Sequence, residues 1–174
     1  MALKAWCAMA LGMAAFFPAP GMAALPTQPV IPAQLAVKLA EAAVNACKNE
    51  GYGVTAVVVN TEGNVIVQIR GDGARIQTVQ TAQDKAYSAV TLAANHNLDR
   101  TSGILASMQA KGGVGIGSWP MPPGGNRGIT LFPGGVTLTS NGQMVGALGV
   151  SGTPRGAMDE GCALKAREQL QSQF

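Results

Sequence analysis

The sequence predicts an α+β fold in one domain, with a single, mainly antiparallel five-stranded sheet flanked by helices. The length of 174 residues suits one domain after removal of a leader. Apolar residues recur at helical spacing near the start, in the middle and at the end of the chain. Between these segments lie two groups of β-branched runs joined by short turn sequences, which is the pattern of hairpins.

The first 23 residues are predicted to be a cleaved secretory signal peptide. A short positive start at Lys4 precedes the uncharged apolar run AWCAMALGMAAFF, and small residues follow it. The run is too short to be a membrane anchor, because a spanning helix needs about 20 apolar residues. We therefore expect a periplasmic or secreted protein with no membrane span after cleavage behind Ala23 or Ala24.

The domain is predicted to cover residues 33–174, after a proline-rich arm at residues 24–32. Pro32 opens a helix in which leucines and alanines share one face until Gly51. VTAVVVNT and NVIVQIR are predicted to pair as a hairpin. TVQTAQDKAYSAVTLAANHN follows as a second helix with an alanine stripe, and TSGILASMQ as a short helix capped by Thr101 or Ser102.

The second half of the chain is rich in glycine. Residues 111–128 form a long loop, and ITLF, VTLTS and QMVGALGVS are three predicted strands. Asn141-Gly142 is the signal for a type I′ turn between the last two strands. A closing helix carries Asp159 and Glu160 at its positive start. Glycines outside the turn indicate close approach by a packed helix, a neighbouring subunit or a ligand; they are Gly134, Gly135, Gly146, Gly149 and Gly152.

Charge and cysteine content exclude some classes of function. The chain has twelve basic and nine acidic residues, and the basic residues form no continuous run, so the sequence does not indicate a nucleic-acid partner. Cys47 and Cys162 remain after processing, and an even pair in an exported protein favours a disulfide over two buried thiols. That bond requires the first and last helices to lie side by side on one face of the sheet.

Three segments together resemble the haem-binding HbpS and GlcG-like proteins, which include the C-terminal PduO-type domains. The segments are VVVNTEGNVIVQIRGDGA, AQDKAYSAVTL and PGGVTLTSNGQMVGALGVSG. The resemblance spans nearly all of the mature chain and implies a profilin-like fold, a homo-oligomer and haem as cofactor. It also implies a pocket near Gly134, Gly135, Ser151 and Gly152, although Ser151 could equally cap the last helix or turn.

A haem site needs an axial ligand, an apolar slot and cations for the propionates. His96, the one histidine of the chain, is the candidate iron ligand; its alternative role is that of a cap or surface residue at a helix end. Tyr87, Met108 and Met121 are further candidate ligands. Lys85, Arg70 and Arg127 are candidates for the propionates.

Two of these cations have alternative roles. For Arg70 the alternative is a salt bridge with Asp72. For Lys85 it is a solvated helix face or a bond to a strand-end carbonyl. An acid/base pair of Lys85 with Asp84 or Ser151 is a catalytic alternative.

The sequence therefore predicts an exported, non-catalytic protein that binds haem or a small apolar anion, or that responds to haem. The alternative is a metal-free enzyme or accessory protein that acts on a small organic molecule in a catabolic pathway, with a pocket around Lys85 and Gly134-Gly135. The chain lacks the usual metal-site and nucleophile motifs. A third possibility is an interaction module whose glycine-rich strands serve oligomer packing.

Overall fold

The computed structural model describes residues 27–112 and 128–174. Its helices are α1 (Ala33–Asn49), α2 (Thr78–Ser88), α3 (Ile104–Ala110) and α4 (Gly156–Leu170). Its strands are β1 (Thr55–Val59), β2 (Val65–Arg70), β3 (Gly135–Ser140) and β4 (Gln143–Ser151). A π-helical turn, Ala89–Ala93, continues α2, and short 3₁₀ turns at Thr101–Gly103 and Gln171–Gln173 precede α3 and follow α4. The predicted loop at residues 111–128 falls mostly outside the described residues, as do Met121 and Arg127.

The strands form one antiparallel sheet in the order β2-β1-β4-β3. The α+β class is confirmed, but the prediction of five strands is wrong for the described chain, because residues 129–132 do not join the sheet. Side chains satisfy the backbone of that segment instead. Ser88 Oγ accepts from the Thr130 N–H at 2.8 Å, and Thr101 Oγ1 donates to the Phe132 carbonyl at 3.1 Å. Pro133 follows and has no N–H to offer a ladder.

The sheet has one helical layer on each face. On one face α1 and α4 lie side by side over a core that includes Leu39, Ala56 and Leu148. On the other face α2 and its π-helical extension pack through small residues, among them Ala82 and Ala86. The β1 side chains are fully buried on both faces, as the continuous valine run predicts.

Cys47 and Cys162 form a disulfide, with 5.5 Å between their Cα atoms. Cys47 lies in the last turn of α1 and Cys162 in the first half of α4, both on the buried faces of their helices. The pairing of the first and last helices is therefore confirmed together with the bond that depended on it.

The turn prediction at Asn141-Gly142 is confirmed, while the capping prediction at residues 101–102 is wrong. Asn141 has φ 49° and Gly142 φ 78°, the two positive values that a type I′ turn needs. Neither the 3₁₀ turn nor α3 has a side-chain cap. Thr101 Oγ1 instead lies between two segments, donating to the Phe132 carbonyl and accepting from the Gly135 N–H at 3.1 Å.

The free edge of β3 is covered by the chain just before α3. Arg100 pairs with Val136, and the Asp99 carbonyl accepts from the Thr137 N–H at 2.9 Å. The Asp99 carboxylate also binds Arg100 and reaches Arg167 of α4 at 3.0 Å. Hydrogen bonds from Arg100, with a further contribution from Arg167, outweigh partial burial and lower the pKa of Asp99 from 3.8 to about 2.

No helix within residues 27–112 and 128–174 combines the length and the apolar character that a membrane crossing needs.

Candidate functional site

Lys85 is buried inside the domain, where it joins three elements. Its side chain is 3% exposed, and Nζ donates to Asp159 Oδ2 at 2.7 Å and to the Val150 carbonyl at 3.0 Å. Asp159 Oδ1 in turn accepts from the Thr153 N–H at 2.9 Å. The ammonium therefore ties α2 to the end of β4 and to the first turn of α4. Of the roles considered for Lys85, the bond to a strand-end carbonyl is the one observed.

The acid/base pairs considered for Lys85 are not present among the described residues. Asp84 Oδ1 accepts from Gln80 Nε2 at 2.7 Å on the outer side of α2. The Lys85 ammonium is bonded to Asp159 and Val150, not to Ser151. Asp159 and Glu160 have structural partners, as first-turn carboxylates often do, since Glu160 Oε2 accepts from the Ser102 N–H at 3.1 Å.

The paired glycines let α2 approach the sheet. A Cβ at Gly134, where φ is +132°, would lie 2.8 Å from Lys85 Nζ and 2.7 Å from the Val150 carbonyl oxygen. A Cβ at Gly135 would collide with the Lys85 carbonyl, and one at Gly149 would lie 2.5 Å from the Ala86 nitrogen. Of the three expected partners, a packed helix is therefore the one observed at these three glycines, whereas Gly146 and Gly152 lie against the backbone of β1 and of the segment before it. The described residues fill this space, so the structure does not support the expected pocket around Lys85 and Gly134-Gly135.

His96 lies at the opposite end of the α2 segment, just past the π-helical turn. Its backbone N–H donates to the Leu92 and Ala93 carbonyls, and Asn97, with φ 55°, ends the helix. The imidazole is half-buried, and Nδ1 lies 2.8 Å from Ser107 Oγ of α3. Within the described chain Nε2 has no hydrogen-bond partner. Ser107 thus orients one ring nitrogen, and a metal-binding histidine commonly has its second ring nitrogen held in this way when that nitrogen carries the proton.

The other candidate residues are dispersed. The half-buried Tyr87 ring lies against Gly63 and Gly128, where a Cβ at Gly128 would be 2.8 Å from the ring. Met108 is half-buried in α3, next to Ser107. Arg70 donates from Nε and Nη2 to the Ala74 carbonyl at 2.9 and 2.6 Å, and the described residues contain no salt bridge between Arg70 and Asp72.

A cleft of about 440 Å³ opens where β4 ends and α2 begins. Its lining includes Ser151 and Gly152, two of the residues that the sequence resemblance implies. The remaining lining residues are Tyr52, Arg75, Gln77, Thr78, Thr153 and Pro154. Sequence reasoning missed Tyr52 and Arg75, since both lie in short connections without a recognisable motif.

Strand pairing places the site candidates at two ends of the domain. Thr55 of β1 pairs with Arg70 of β2 on one side and with Ser151 of β4 on the other. Directly paired residues share a face of the sheet, so all three side chains face α2 at its first turn. His96 lies beyond the last turn of the same helical segment. The structure therefore brings Arg70 to the end of the sheet that holds Ser151, and not to His96.

Comparison with known proteins agrees with the resemblance seen in the sequence. The family model described as "Haem degrading protein HbpS-like" matches residues 31–168. The chain belongs to the HbpS-like family. A Streptomyces reticuli HbpS double mutant is 31% identical over 90% of this chain and 98% of its own, with a TM-score of 0.70.

More distant structures share the HbpS-like fold. Klebsiella pneumoniae protein ORFY is 25% identical over 88% of this chain and 99% of its own, with a TM-score of 0.71. A PduOC:haem complex is 22% identical over 80% of this chain and 94% of its own, with a TM-score of 0.65, and shows the likeness of fold alone. No curated protein matches the chain.

Proposed function

We propose that this HbpS-like protein is an exported, non-catalytic protein that binds haem or responds to it, with His96 as the iron ligand. The observation that carries the proposal is the imidazole geometry, with Nδ1 at 2.8 Å from Ser107 Oγ and Nε2 without a hydrogen-bond partner among the described residues. The family to which the chain belongs is described as haem degrading, which supports haem as the ligand but not the non-catalytic role, which is tested separately below. When bound, haem would supply the iron centre, and the protein would supply the ligand and the surrounding slot.

The residues around His96 fit such a group in part. If the Ser107 hydroxyl accepts from Nδ1–H, the Nε2 lone pair is fixed towards a metal, and the ring cannot rotate freely. Met108 and Leu105 of α3 are half-buried beside Ser107 and offer apolar contacts. Lys111 lies one helical turn after Ser107 and supplies a cation for a propionate in place of the distant Arg70.

A haemin titration of residues 24–174, followed by absorbance, tests the proposal. We expect a saturable Soret band that His96→Ala abolishes. Ser107→Ala should keep the band and weaken haemin binding roughly tenfold, because loss of the orienting partner typically costs that much affinity. A band unchanged in His96→Ala but lost in Tyr87→Phe would move the ligand to Tyr87, and no saturable band would overturn haem binding.

The non-catalytic part of the proposal has its own test. The haemin complex would be kept in air with ascorbate, and the Soret band followed over time. A band that persists as in a control without protein supports binding or sensing. Loss of the band with the wild type that is faster than the loss of haemin absorbance in the control without protein would contradict the non-catalytic role and favour haem breakdown.

Export and self-association belong to the same proposal. The disulfide supports an oxidising compartment, because such bonds persist mainly outside the cytosol. Five large apolar side chains of the described residues are exposed, among them Val65 at 42%, Ile76 at 74% and Phe132 at 69%, and β2 is an edge strand. We expect a homo-oligomer, and light scattering that shows only a monomer would contradict this.

A second candidate function is a metal-free enzyme or accessory protein that acts on a small organic molecule. The cleft at Ser151 is the one observation that favours it. Lys85 is an unsuitable reacting group for this role, since it is enclosed by its ion pair. A screen for turnover should therefore use Ser151→Ala rather than Lys85→Ala, whose loss of activity would also follow from a damaged fold.

A further inference from the structure

We propose that the cleft between β4 and the start of α2 binds a small organic carboxylate, with Arg75 as its counter-ion and the Ser151 hydroxyl as its hydrogen-bond donor. This site lies apart from His96 and does not depend on haem binding.

The Ser151 hydroxyl is the first observation behind this site. The residue is only 7% exposed, yet its hydroxyl has no hydrogen-bond partner among the described residues. Ser151 lines the cleft, so a ligand bound there would lie beside this residue. A polar group this buried is normally satisfied, and a ligand in the cleft would satisfy it.

Two neighbouring threonine hydroxyls do not compete for that role. Thr55, which pairs with Ser151 across the strands, shares a hydrogen bond of 2.7 Å with Thr78 Oγ1. Thr78 Oγ1 also lies 2.6 Å from the Arg75 carbonyl. The two threonines are therefore engaged with each other and with the backbone, whereas Ser151 forms no side-chain hydrogen bond within residues 27–112 and 128–174.

The charge around the cleft selects an anion. Arg75 is the charged residue among the eight that line it, and no carboxylate is among them. The Arg75 guanidinium forms no salt bridge with the described residues, and the positive end of α2 adds to its field. Asp159 lies behind the wall at Thr153, but the Lys85 ammonium at 2.7 Å neutralises it.

The size and walls of the cleft favour a carboxylate on a small apolar body. A volume of about 440 Å³ lies within the usual range of small-molecule sites. Tyr52 and Pro154 supply apolar surface, while Gln77 offers a further polar contact. A guanidinium can bind both oxygens of a carboxylate at once, whereas a neutral amide offers it only one oxygen and no charge.

The cleft cannot serve the propionates of a haem bound at His96. About 18 residues separate the first turn of α2 from His96, which at 1.5 Å per residue corresponds to roughly 25 Å along the helical segment. This distance exceeds the reach of a propionate on the same porphyrin. The two sites are therefore distinct, and one can fail experimentally without the other.

Benzoate titration of residues 24–174, followed by amide chemical shifts in NMR, tests the proposal, with benzamide as the neutral analogue of the same shape. We expect saturable shifts around Ser151 and Thr78 with benzoate, and affinity at least about tenfold weaker for benzamide, since a charge-assisted bond is lost. Arg75→Gln should weaken benzoate by about tenfold or more, and Ser151→Ala by several fold.

Arg155→Gln is the matched control. Arg155 is an exposed arginine at the start of α4 that does not line the cleft, so its replacement should change benzoate affinity less than about twofold. Equal losses in both arginine variants would indicate general charge attraction and overturn the site. Equal binding of benzamide, or no saturable shifts with benzoate, would overturn it too, and tighter binding of inorganic phosphate would overturn the carboxylate class.

One more variant distinguishes the proposed carboxylate site from the proposed haem site. His96→Ala should bind benzoate as the wild type does, whatever its effect on haemin. Loss of benzoate binding in His96→Ala would contradict the independence of the two sites.

Discussion

Replacing Lys85 with methionine is expected to destabilise the protein strongly. Methionine keeps the length of the side chain but removes the ammonium that Asp159 and the Val150 carbonyl share. Both ionic side chains are at least 96% buried, at 3% and 4% exposure, so the Asp159 carboxylate would stay in the interior with only the Thr153 N–H as a partner. Removing one member of a buried pair typically costs about 3–5 kcal/mol.

Urea unfolding of the disulfide-bonded protein, followed by circular dichroism, measures this loss. Lys48→Met, at an exposed position in the last turn of α1, is the control and should stay within about 0.5 kcal/mol of the wild type. The double variant Lys85→Met/Asp159→Asn should recover part of the stability, because the unpaired charge is removed. A loss below about 1 kcal/mol in Lys85→Met would refute the assignment of Lys85 as the residue that joins α2, β4 and α4.

Three further perturbations test the packing, the disulfide and the surface charges. Gly149→Ala should lower the free energy of unfolding in urea by at least about 2 kcal/mol, because the new Cβ would meet the α2 backbone. Gly161→Ala, where a Cβ would have nothing within 4 Å, should raise it by up to about 1 kcal/mol. Equal effects of the two substitutions would contradict the close approach of α2. Replacing Cys47 and Cys162 by alanine opens a loop of 115 residues and should lower unfolding stability by up to about 4.8 kcal/mol on chain entropy alone, and an unchanged urea midpoint would argue against the bond. Asp99→Asn should cost less than about 1 kcal/mol above about pH 5, because the carboxylate is 51% exposed and solvent screens it. Since the folded pKa of Asp99 is lowered to about 2, its contribution should fade as the pH falls from about 4 to 2, and a wild-type–variant difference that grows in acid would contradict this sign.

Elements with a strong local signal were predictable from the sequence. Leucine and alanine residues at helical spacing predicted the buried face of α1, and the Asn141-Gly142 pair predicted the turn between β3 and β4. The disulfide was predictable because an even cysteine count in a chain expected to be exported favours such a bond, and that bond required α1 and α4 to lie side by side.

The prediction of a fifth strand was wrong because strand propensity does not show whether the edge of a neighbouring strand is free to pair. The ITLF segment is apolar and β-branched, but the β3 edge is already occupied by Arg100. Hydroxyls of Ser88 and Thr101 then take the backbone groups that a ladder would need, and Pro133 prevents its continuation.

The sites were only partly visible because they depend on register between distant segments. Ser151 and Arg75 line the same cleft only because β4 pairs with β1 and α2 packs on both strands. Lys85 was expected to face a ligand, but its carboxylate partner Asp159 lies in the last helix, where no local pattern reveals the contact. His96 was a candidate from the sequence alone, but its contact with Ser107 is visible only in the structure.

The most direct test of the central claim uses the fact that the chain has a single histidine. The protein would be made with isotope-labelled histidine and titrated with zinc protoporphyrin, a diamagnetic porphyrin that accepts one axial nitrogen. NMR then reports both ring nitrogens of His96 separately. The haem proposal predicts that the Nε2 signal moves on binding while Nδ1 keeps the signature of its bond to Ser107. Porphyrin binding that leaves both nitrogen signals unchanged would contradict His96 as the axial ligand.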